Sequence, residues 1–490
     1  MDALSGPATS ILTPGETCWR LERAERLAYI VDAADYFRAA KAAMLQARSR
    51  IMLIGWDFDT RIELEPNEAT LEGPNRLGDF LSWLIDRQPE LDIYLLKWDI
   101  GVFTGIGRGM PPIFLLNWIT DKRLHLRADS AHPVGSAHHQ KIVVIDDAFA
   151  FCGGIDMTVE RWDSREHREV DERRTDPGGA QHGPWHDATV AVDGAVAGAL
   201  GELARDRWFT ASGEELAPID AGDAHVWPDF LEPTLRGVDV GIARTRPEFA
   251  AHEEVREIEA LYLAAILSAR DTLYIESQYL AARTLADAIA QRLQDPECPE
   301  IVLVLPRHAE GWLEQKAMDG ARHRLLHLLW EADKHGRFRA YYPVTAAGSP
   351  IYVHAKVLVM DDRLFRIGSS NLNNRSMGFD TECDLAVEGV PGVTAIRDDL
   401  LCEHLGVTES ELAEAIHAAE SSVIGAIEVL REQPGRTLVP FEPDDVEGED
   451  NVLAENELMD PESPPALLPE WIRTAQAAAL KSTSIFSTGR

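Results

Sequence analysis

HHQKIVVIDDAFAFCGGID, from His138 to Asp156, and HAKVLVMDDRLFRIGSSN, from His354 to Asn371, are two copies of one pattern. Each reads His-x-Lys-x4-Asp: His139, Lys141 and Asp146 in the first copy, His354, Lys356 and Asp361 in the second. Six residues then intervene before a small pair, Gly153-Gly154 or Gly368-Ser369, and a polar residue, Asp156 or Asn371, closes the copy. A lone histidine in such a stretch is more often a satisfied core residue. The same internal spacing met twice marks an internal repeat.

Each copy begins as a strand. In HQKIVVID and HAKVLVMD the His and Lys stand two apart, so they share one face of the strand. The Ile/Val/Leu run between them and the Asp reads as buried sheet. A lysine ammonium is a compact charge that holds a phosphate oxygen. The Gly-Gly and Gly-Ser pairs admit close backbone approach, and Ser369 and Asn371 can donate hydrogen bonds. An imidazole can attack, or deliver a proton, near neutral pH. Two imidazoles and two ammoniums in one pocket suit phosphodiester chemistry without a metal; no HExxH, CxxC pair or EF-hand pattern appears, so no metal site and no cofactor are expected.

The repeat extends beyond the motifs. AAMLQARSRIMLIGWD (Ala42–Asp57) parallels AAILSARDTLYIESQY (Ala264–Tyr279), each the end of an amphipathic helix followed by a buried strand. A second strand follows in each half, Leu91–Trp98 and Glu300–Leu305. A helical region, the motif strand and a closing strand come next, the closing strands being Asp187–Asp193 and Glu382–Glu388. This alternation predicts an α/β protein of two similar halves, each a mixed sheet flanked by helices, packed with pseudo-twofold symmetry around one cleft. Asp187 and Glu382 begin equivalent strands and are the candidate carboxylates that orient the two histidines, with Asp163 as the rival in the first half. Asp187 lies 48 residues after His139, but Glu382 only 28 after His354. The first half therefore carries an insertion, Met157–Pro184, read either as a substrate-selecting element at the cleft mouth or as a solvated loop.

The boundaries expected are a first half over 1–212, a Pro/Gly/Ala/Asp-rich linker over 213–237, a second half over 238–432 with a helix near Glu409–Arg431, and an acidic tail over 433–490. Within that tail Glu442–Glu462 holds ten acidic residues and neither Lys nor Arg, a signature of disorder. A short helix, Glu470–Lys481, is expected after Pro469. GIGRG, at Gly105–Gly109, lacks the strand and helix context of a dinucleotide site.

These residues resemble the phospholipase D superfamily, whose signature is a pair of HxKx4D motifs. The likeness runs from about Tyr29 to about Gly406. It includes IESQYL at Ile275–Leu280, similar to the family's IENQYF, and GSSNLNNRS at Gly368–Ser376. Arg161-Trp162-Asp163 after GGID, and Pro184-Trp185-His186-Asp187, look like the lipid-acting members. The resemblance implies a phosphohistidine intermediate: one histidine attacks phosphorus, the other protonates the leaving alkoxide, and water or an alcohol resolves the adduct. It implies His139 as nucleophile and His354 as acid. The catalytic set expected is His139, Lys141, Asp146, His354, Lys356, Asp361, Asp187 and Glu382. The substrate-binding set expected is Asp156, Ser369, Asn371, Gly154, Trp162 and Gln278. Cleavage of the distal phosphodiester of a glycerophospholipid is the activity implied, with cardiolipin synthase-type transfer or a nuclease as alternatives.

Composition narrows the partners. A net charge of −35 disfavours nucleic acid, which calls for a cationic footprint, and adhesion to anionic bilayers. A phospholipid at a membrane surface is the expected partner. No secretory leader or spanning segment is expected, in contrast to membrane-anchored cardiolipin synthases. The five cysteines, Cys18, Cys152, Cys298, Cys383 and Cys402, are odd in number and scattered. They read as reduced thiols, with Cys152 and Cys383 filling buried positions. The expected location is the cytoplasm, peripheral to a membrane.

Overall fold

The computed structural model describes residues 10–98, 121–220, 222, 225–310, 312–442 and 460–461. GIGRG, most of the acidic stretch and the expected helix at Glu470–Lys481 lie outside these residues.

The first half runs β1 (Arg20–Val31), α1 (Asp32–Met44), β2 (Arg50–Gly55), α2 (Leu77–Arg87), β3 (Asp92–Trp98), β4 (Leu124–Asp129), β5 (Ile142–Ile145), β6 (Phe149–Gly153), β7 (Trp185–His186), β8 (Ala188–Asp193) and α3 (Ala195–Ser212). The second runs β9 (Leu235–Arg246), β10 (Val255–Arg256), α4 (Glu257–Ser268), β11 (Thr272–Glu276), α5 (Arg283–Leu293), β12 (Glu300–Val304), α6 (Trp312–Ala332), β13 (Phe338–Val344), β14 (Tyr352–Val353), β15 (Val357–Met360), β16 (Leu364–Gly368), a π-helical turn (Arg375–Phe379), β17 (Glu382–Glu388) and α7 (Thr394–Leu405). After it come α8 (Glu409–Ala418), α9 (Val423–Leu430) and β18 (Thr437–Pro440).

Among the described residues these strands form one 16-stranded sheet and a separate two-stranded pair, β7 with β14. The main order is β18-β13-β12-β11-β15-β16-β17-β9-β1-β8-β6-β5-β2-β3-β4. Leaving β18 aside, each strand stands as far from the centre as its repeat counterpart. The long strands β1 and β9 meet in the middle and pair antiparallel, Leu21 opposite Gly241 and Ala24 opposite Val238. This is the order a twofold axis between them generates. In each half the outer strands β2-β3-β4 and β11-β12-β13 are parallel, and the motif strands β5 and β15 return antiparallel.

The apolar runs are buried on both sides, as a sheet with helices on two faces requires. β2, β5, β6, β8, β12, β15 and β16 are buried almost throughout. One core under α1 and α2 belongs to the first half, and one under α4 and α5 to the second. A third is shared: Trp208 and Leu200 of α3 lie in the same apolar cluster as Ile396 and Leu400 of α7 and Ile427 of α9. Trp208 is fully buried, so truncating it to Ala would cost roughly 3–5 kcal/mol.

Two boundary expectations change. The helix expected near Glu409–Arg431 is two helices, because Glu420 and Ser421 turn left-handed at φ +55° and +72°. Ser422 then caps α9 by accepting from the Gly425 N–H. β18, placed by composition in the tail, extends the sheet alongside β13. The insertion, in turn, reaches the second half. Arg165 pairs with Asp399 at 2.7 Å and with Glu403 at 2.5 Å, and Glu169 accepts from the hydroxyls of Thr345 and Ser349.

Candidate active site

The motif strands deliver their histidines to the seam between the halves, and the backbone there crosses over. The His139 N–H donates to the carbonyl of Thr381 at 3.0 Å. The His354 N–H donates to the carbonyl of His186 at 2.7 Å. Thr381 and His186 are the residues immediately before Glu382 and Asp187. Each half's motif histidine is thus tied to the start of the other half's closing strand.

The side chains follow the backbone. His139 Nδ1 lies 3.0 Å from both Glu382 oxygens, and His354 Nδ1 lies 2.6 Å from Asp187 Oδ2. The structure therefore joins both expected carboxylates to the histidines, but crosswise rather than within each half. Asp163 is not the first-half partner. It is fully buried and accepts from His167, Arg174 and the Trp185 N–H. A carboxylate on Nδ1 fixes the tautomer that leaves Nε2 free for chemistry.

The lysines fold back onto their own strands. Lys141 Nζ donates to the His139 carbonyl at 3.0 Å and pairs with Asp156 at 3.1 Å. Lys356 Nζ donates to the His354 carbonyl, and to Gln278 Oε1 at 3.3 Å. Asn371 Nδ2 reaches the same Gln278 oxygen at 3.5 Å. Asp156 also accepts from the Trp56 N–H at 3.0 Å. Ser369, expected to donate to substrate, donates to Glu382 at 2.5 Å, and Ser376 does so at 2.7 Å. Gly154 is required by close approach, because a Cβ there would stand 2.2 Å from Asp187 Oδ1.

Three expected residues lie elsewhere. Asp146 is separated from the histidine end of its strand by β5 and accepts from the N–H groups of Arg48, Ser49 and Arg50. Asp361 does the same for Arg270, Asp271 and Thr272. These two carboxylates fasten the loop before the neighbouring strand and do not face the histidines. Trp162 packs in the first half's core under Arg173, whose guanidinium lies 4.8 Å from its ring. The aromatic wall comes instead from Trp185. It stacks on Tyr352 with ring centroids 4.5 Å apart, lies 5.3 Å from His354, and carries the Arg161 guanidinium 4.2 Å from its ring. Ser376 and Trp185 were visible only as members of GSSNLNNRS and PWHD. At the edge of the site Asp460 accepts from the Asn374 and Arg375 N–H groups at 2.9 Å.

Electrostatics follow from this packing. Burial, then the Lys141 and Lys356 charges, hold the His139 imidazole well below the usual histidine range. Burial and Lys356 do the same to His354. Burial raises Asp187, and raises Glu382 to about 7 against the pull of the Ser369 hydroxyl and Lys141. It also lowers Lys356 to about 7. His139 is the more open of the two rings, with 16% of its side chain exposed against 7% for His354. Two neutral imidazoles, each backed by a carboxylate and flanked by a lysine, can attack and relay a proton at a tetrahedral centre.

Comparison with known proteins finds likeness to phospholipase D proteins. Residues 262–400 match the family model described as "Cardiolipin synthase, PLD-like domain". Phospholipase D A of Dictyostelium discoideum is 22% identical over 428 residues, covering 73% of this chain and 32% of that protein. Phospholipase D alpha 4 of Arabidopsis thaliana is 23% identical over 490 residues, covering 76% and 64%. The chain is thus similar to phospholipase D proteins along most of its length, with the family model matching within its second half. It spans less than two thirds of the length of these two relatives. The fold is shared with the phosphatidylserine synthase of Haemophilus influenzae Rd KW20, at a TM-score of 0.55 and 13% identity, covering 94% of this chain and 97% of that one. Among the described residues no helix is long and apolar enough to cross a membrane.

Proposed function

We propose that this chain is a member of the phospholipase D superfamily, a phosphodiesterase and phosphatidyltransferase that cleaves the distal phosphodiester bond of glycerophospholipids. The observation that carries the reading is the crossed pair, His139 on Glu382 and His354 on Asp187, with Lys141 and Lys356 beside them. His139 is the nucleophile. Its neutral Nε2 forms a bond to phosphorus as the bond to the head-group oxygen breaks, and His354 delivers the proton that oxygen takes. Water or an alcohol then gives its proton to His354 while its oxygen displaces His139 from phosphorus. Burial first, and then the lysine charges, keep His354 neutral; a phosphodiester anion seated between the two lysines offsets those charges, so it favours the proton donor. The lysines stabilise the charge that develops on the equatorial oxygens.

Phospholipid is favoured over nucleic acid as substrate by the Trp185–Tyr352 wall beside His354, by the net charge of −35, which disfavours nucleic acid, and by the phospholipase D relatives. Incubation with phosphatidylcholine and phosphatidylglycerol vesicles, and separately with DNA, tests this. Head-group release is expected from lipid, and a phosphatidyl-alcohol when ethanol or glycerol is added. DNA cleavage without lipid turnover would overturn the lipid reading, and phosphatidic acid alone at high alcohol would remove the transferase half of it.

A further inference from the structure

Behind the reacting histidines lies a second cluster that the chemistry above does not use. Asp32 at the start of α1, His167 of the insertion, His186 of β7 and Glu403 of α7 converge with 1%, 1%, 0% and 5% exposure. His167 Nε2 lies 3.1 Å from Glu403 Oε1 and 3.4 Å from Asp32 Oδ2. His186 Nδ1 lies 2.9 Å from the same Glu403 oxygen and 3.6 Å from Asp32 Oδ1. The separations to Glu403 Oε1 and to Asp32 Oδ2 are close to the edge of a tetrahedron of zinc–nitrogen and zinc–oxygen bonds, about 3.3 Å.

The outer nitrogens are held in the manner of metal-ligating histidines. His167 Nδ1 lies 3.0 Å from Asp163 Oδ2, and His186 Nε2 lies 2.8 Å from Glu276 Oε2. Both rings thus have a carboxylate on the far side, which fixes the tautomer that turns a lone pair inward. The inner oxygens are as telling. Asp32 Oδ1 accepts from the Asp187 N–H at 3.0 Å, while Asp32 Oδ2, fully enclosed, accepts no hydrogen bond. Two protonated imidazoles would aim both inner N–H groups at one Glu403 oxygen and still leave Asp32 Oδ2 without a proton. A buried carboxylate oxygen left bare in this way is costly.

Charge points in the same direction. Asp163 pairs with Arg174, and Glu403 with Arg165, which it shares with Asp399; with Asp32 and Glu276 beside them, the carboxylates outnumber the guanidiniums and leave net negative charge for a divalent ion when the rings are neutral. The repeat does not demand the cluster. The counterpart of His186, one residue before the closing carboxylate, is Thr381, whose hydroxyl meets His138 instead. His167 lies in the insertion and has no counterpart.

We propose that Asp32, His167, His186 and Glu403 bind one first-row divalent cation of zinc type, a structural ion joining the insertion and first half to the second-half helix α7. The nitrogen and carboxylate donor set and the closed, four-ligand arrangement suit zinc. The ion touches no reacting atom. It holds His186, whose carbonyl accepts the His354 N–H and whose neighbour Asp187 carries the His354 ring.

The proposal is independent of the substrate and is tested without an activity assay. The full chain, purified without metal-affinity resin and dialysed against chelator, is analysed for elemental metal. About one equivalent of zinc or a similar divalent ion per chain is expected, and growth with cobalt in place of zinc should give the visible bands of four-coordinate Co²⁺. Glu403→Gln and His167→Asn should each lower the content to roughly a tenth or less, with the folded fraction followed by circular dichroism. Wild-type protein grown in zinc-supplemented medium that carries no stoichiometric metal and shows no cobalt bands would overturn the site. Full metal retention in both variants would overturn the ligand assignment.

Discussion

His354 Nδ1 stands 2.6 Å from Asp187 Oδ2, a carboxylate supplied by the opposite half of the molecule. The mirror contact joins His139 to Glu382. Neither half alone completes the pairing of its motif histidine with a carboxylate, and the two pairs serve different steps of the proposed reaction.

That division can be read kinetically. Asp187→Asn and Glu382→Gln should each lower kcat by roughly 10²–10⁴. Asp187 supports the proton donor, so a p-nitrophenyl phosphodiester, whose leaving group needs no proton, should restore most of the loss in Asp187→Asn and little in Glu382→Gln. Equal rescue of both variants would dissolve the assignment of roles.

The phosphohistidine is directly accessible. His139→Ala and His354→Ala should each abolish turnover. Rapid quench of wild type with a short-chain lipid should add a phosphatidyl mass to the peptide carrying His139. An adduct found only on the His354 peptide would reverse nucleophile and acid.

Glu382 gives a pH signature whose sign is fixed. Its carboxyl titrates at about 7 in the folded site against an ordinary value of 4.5, chiefly because of burial. Between these values the folded protein holds a proton that the unfolded chain has released. Stability from this group is therefore highest below the lower value, falls as pH rises, and is lowest above about 7. Activity should rise across the same interval as the carboxylate forms. Glu382→Gln cannot ionise, so its denaturation midpoint should gain on wild type between about pH 5 and about pH 8. A constant difference between the two proteins would show that this carboxyl does not titrate there.

The motif aspartates should separate stability from chemistry. Asp146→Asn and Asp361→Asn weaken a set of three backbone hydrogen bonds each and should cost about 1–3 kcal/mol in urea denaturation. Their kcat should stay within a few-fold of wild type at a temperature where both remain folded. A loss in kcat as large as that of Asp187→Asn would return them to the reacting centre.

Gly154 offers a steric counterpart. A methyl at this position would meet Asp187 Oδ1 at 2.2 Å, so Gly154→Ala should displace the carboxylate and reproduce the Asp187→Asn rescue pattern. A variant with wild-type kinetics on natural lipid would mean that the strand gives way more readily than its buried setting implies.

Much of this was readable from the chain. The repeated spacing found both histidines and lysines, although the strands β5 and β15 begin only after Lys141 and Lys356, and the closing-strand alignment found Asp187 and Glu382. What the alignment could not supply was partnership across the seam. Equivalent positions say which residues resemble each other, whereas the crossing is set by backbone bonds from His139 to Thr381 and from His354 to His186, far apart in sequence. The motif aspartates misled because repetition registers structural need as faithfully as chemical need. Trp162 and Trp185 sit in segments of equal motif strength, and only packing sends one into the core and the other beside His354. β18 was hidden because four residues at a sheet edge carry no periodic signal amid acidic surroundings.

The twelve-residue strands β1 and β9 pair along the middle of the molecule and turn two halves into one uninterrupted sheet. A cleft built across such a seam has no hinge. Ordinary enzymes with a site between lobes can swallow a ligand by bending the linker, but here a bend would break the central ladder. Substrate must be fitted to a gap of fixed width. If the substrate is the proposed phospholipid, selectivity is a matter of which side chains border that gap, and engineering a new head-group preference should begin with Trp185, Tyr352 and the insertion rather than with any change in how the halves are joined.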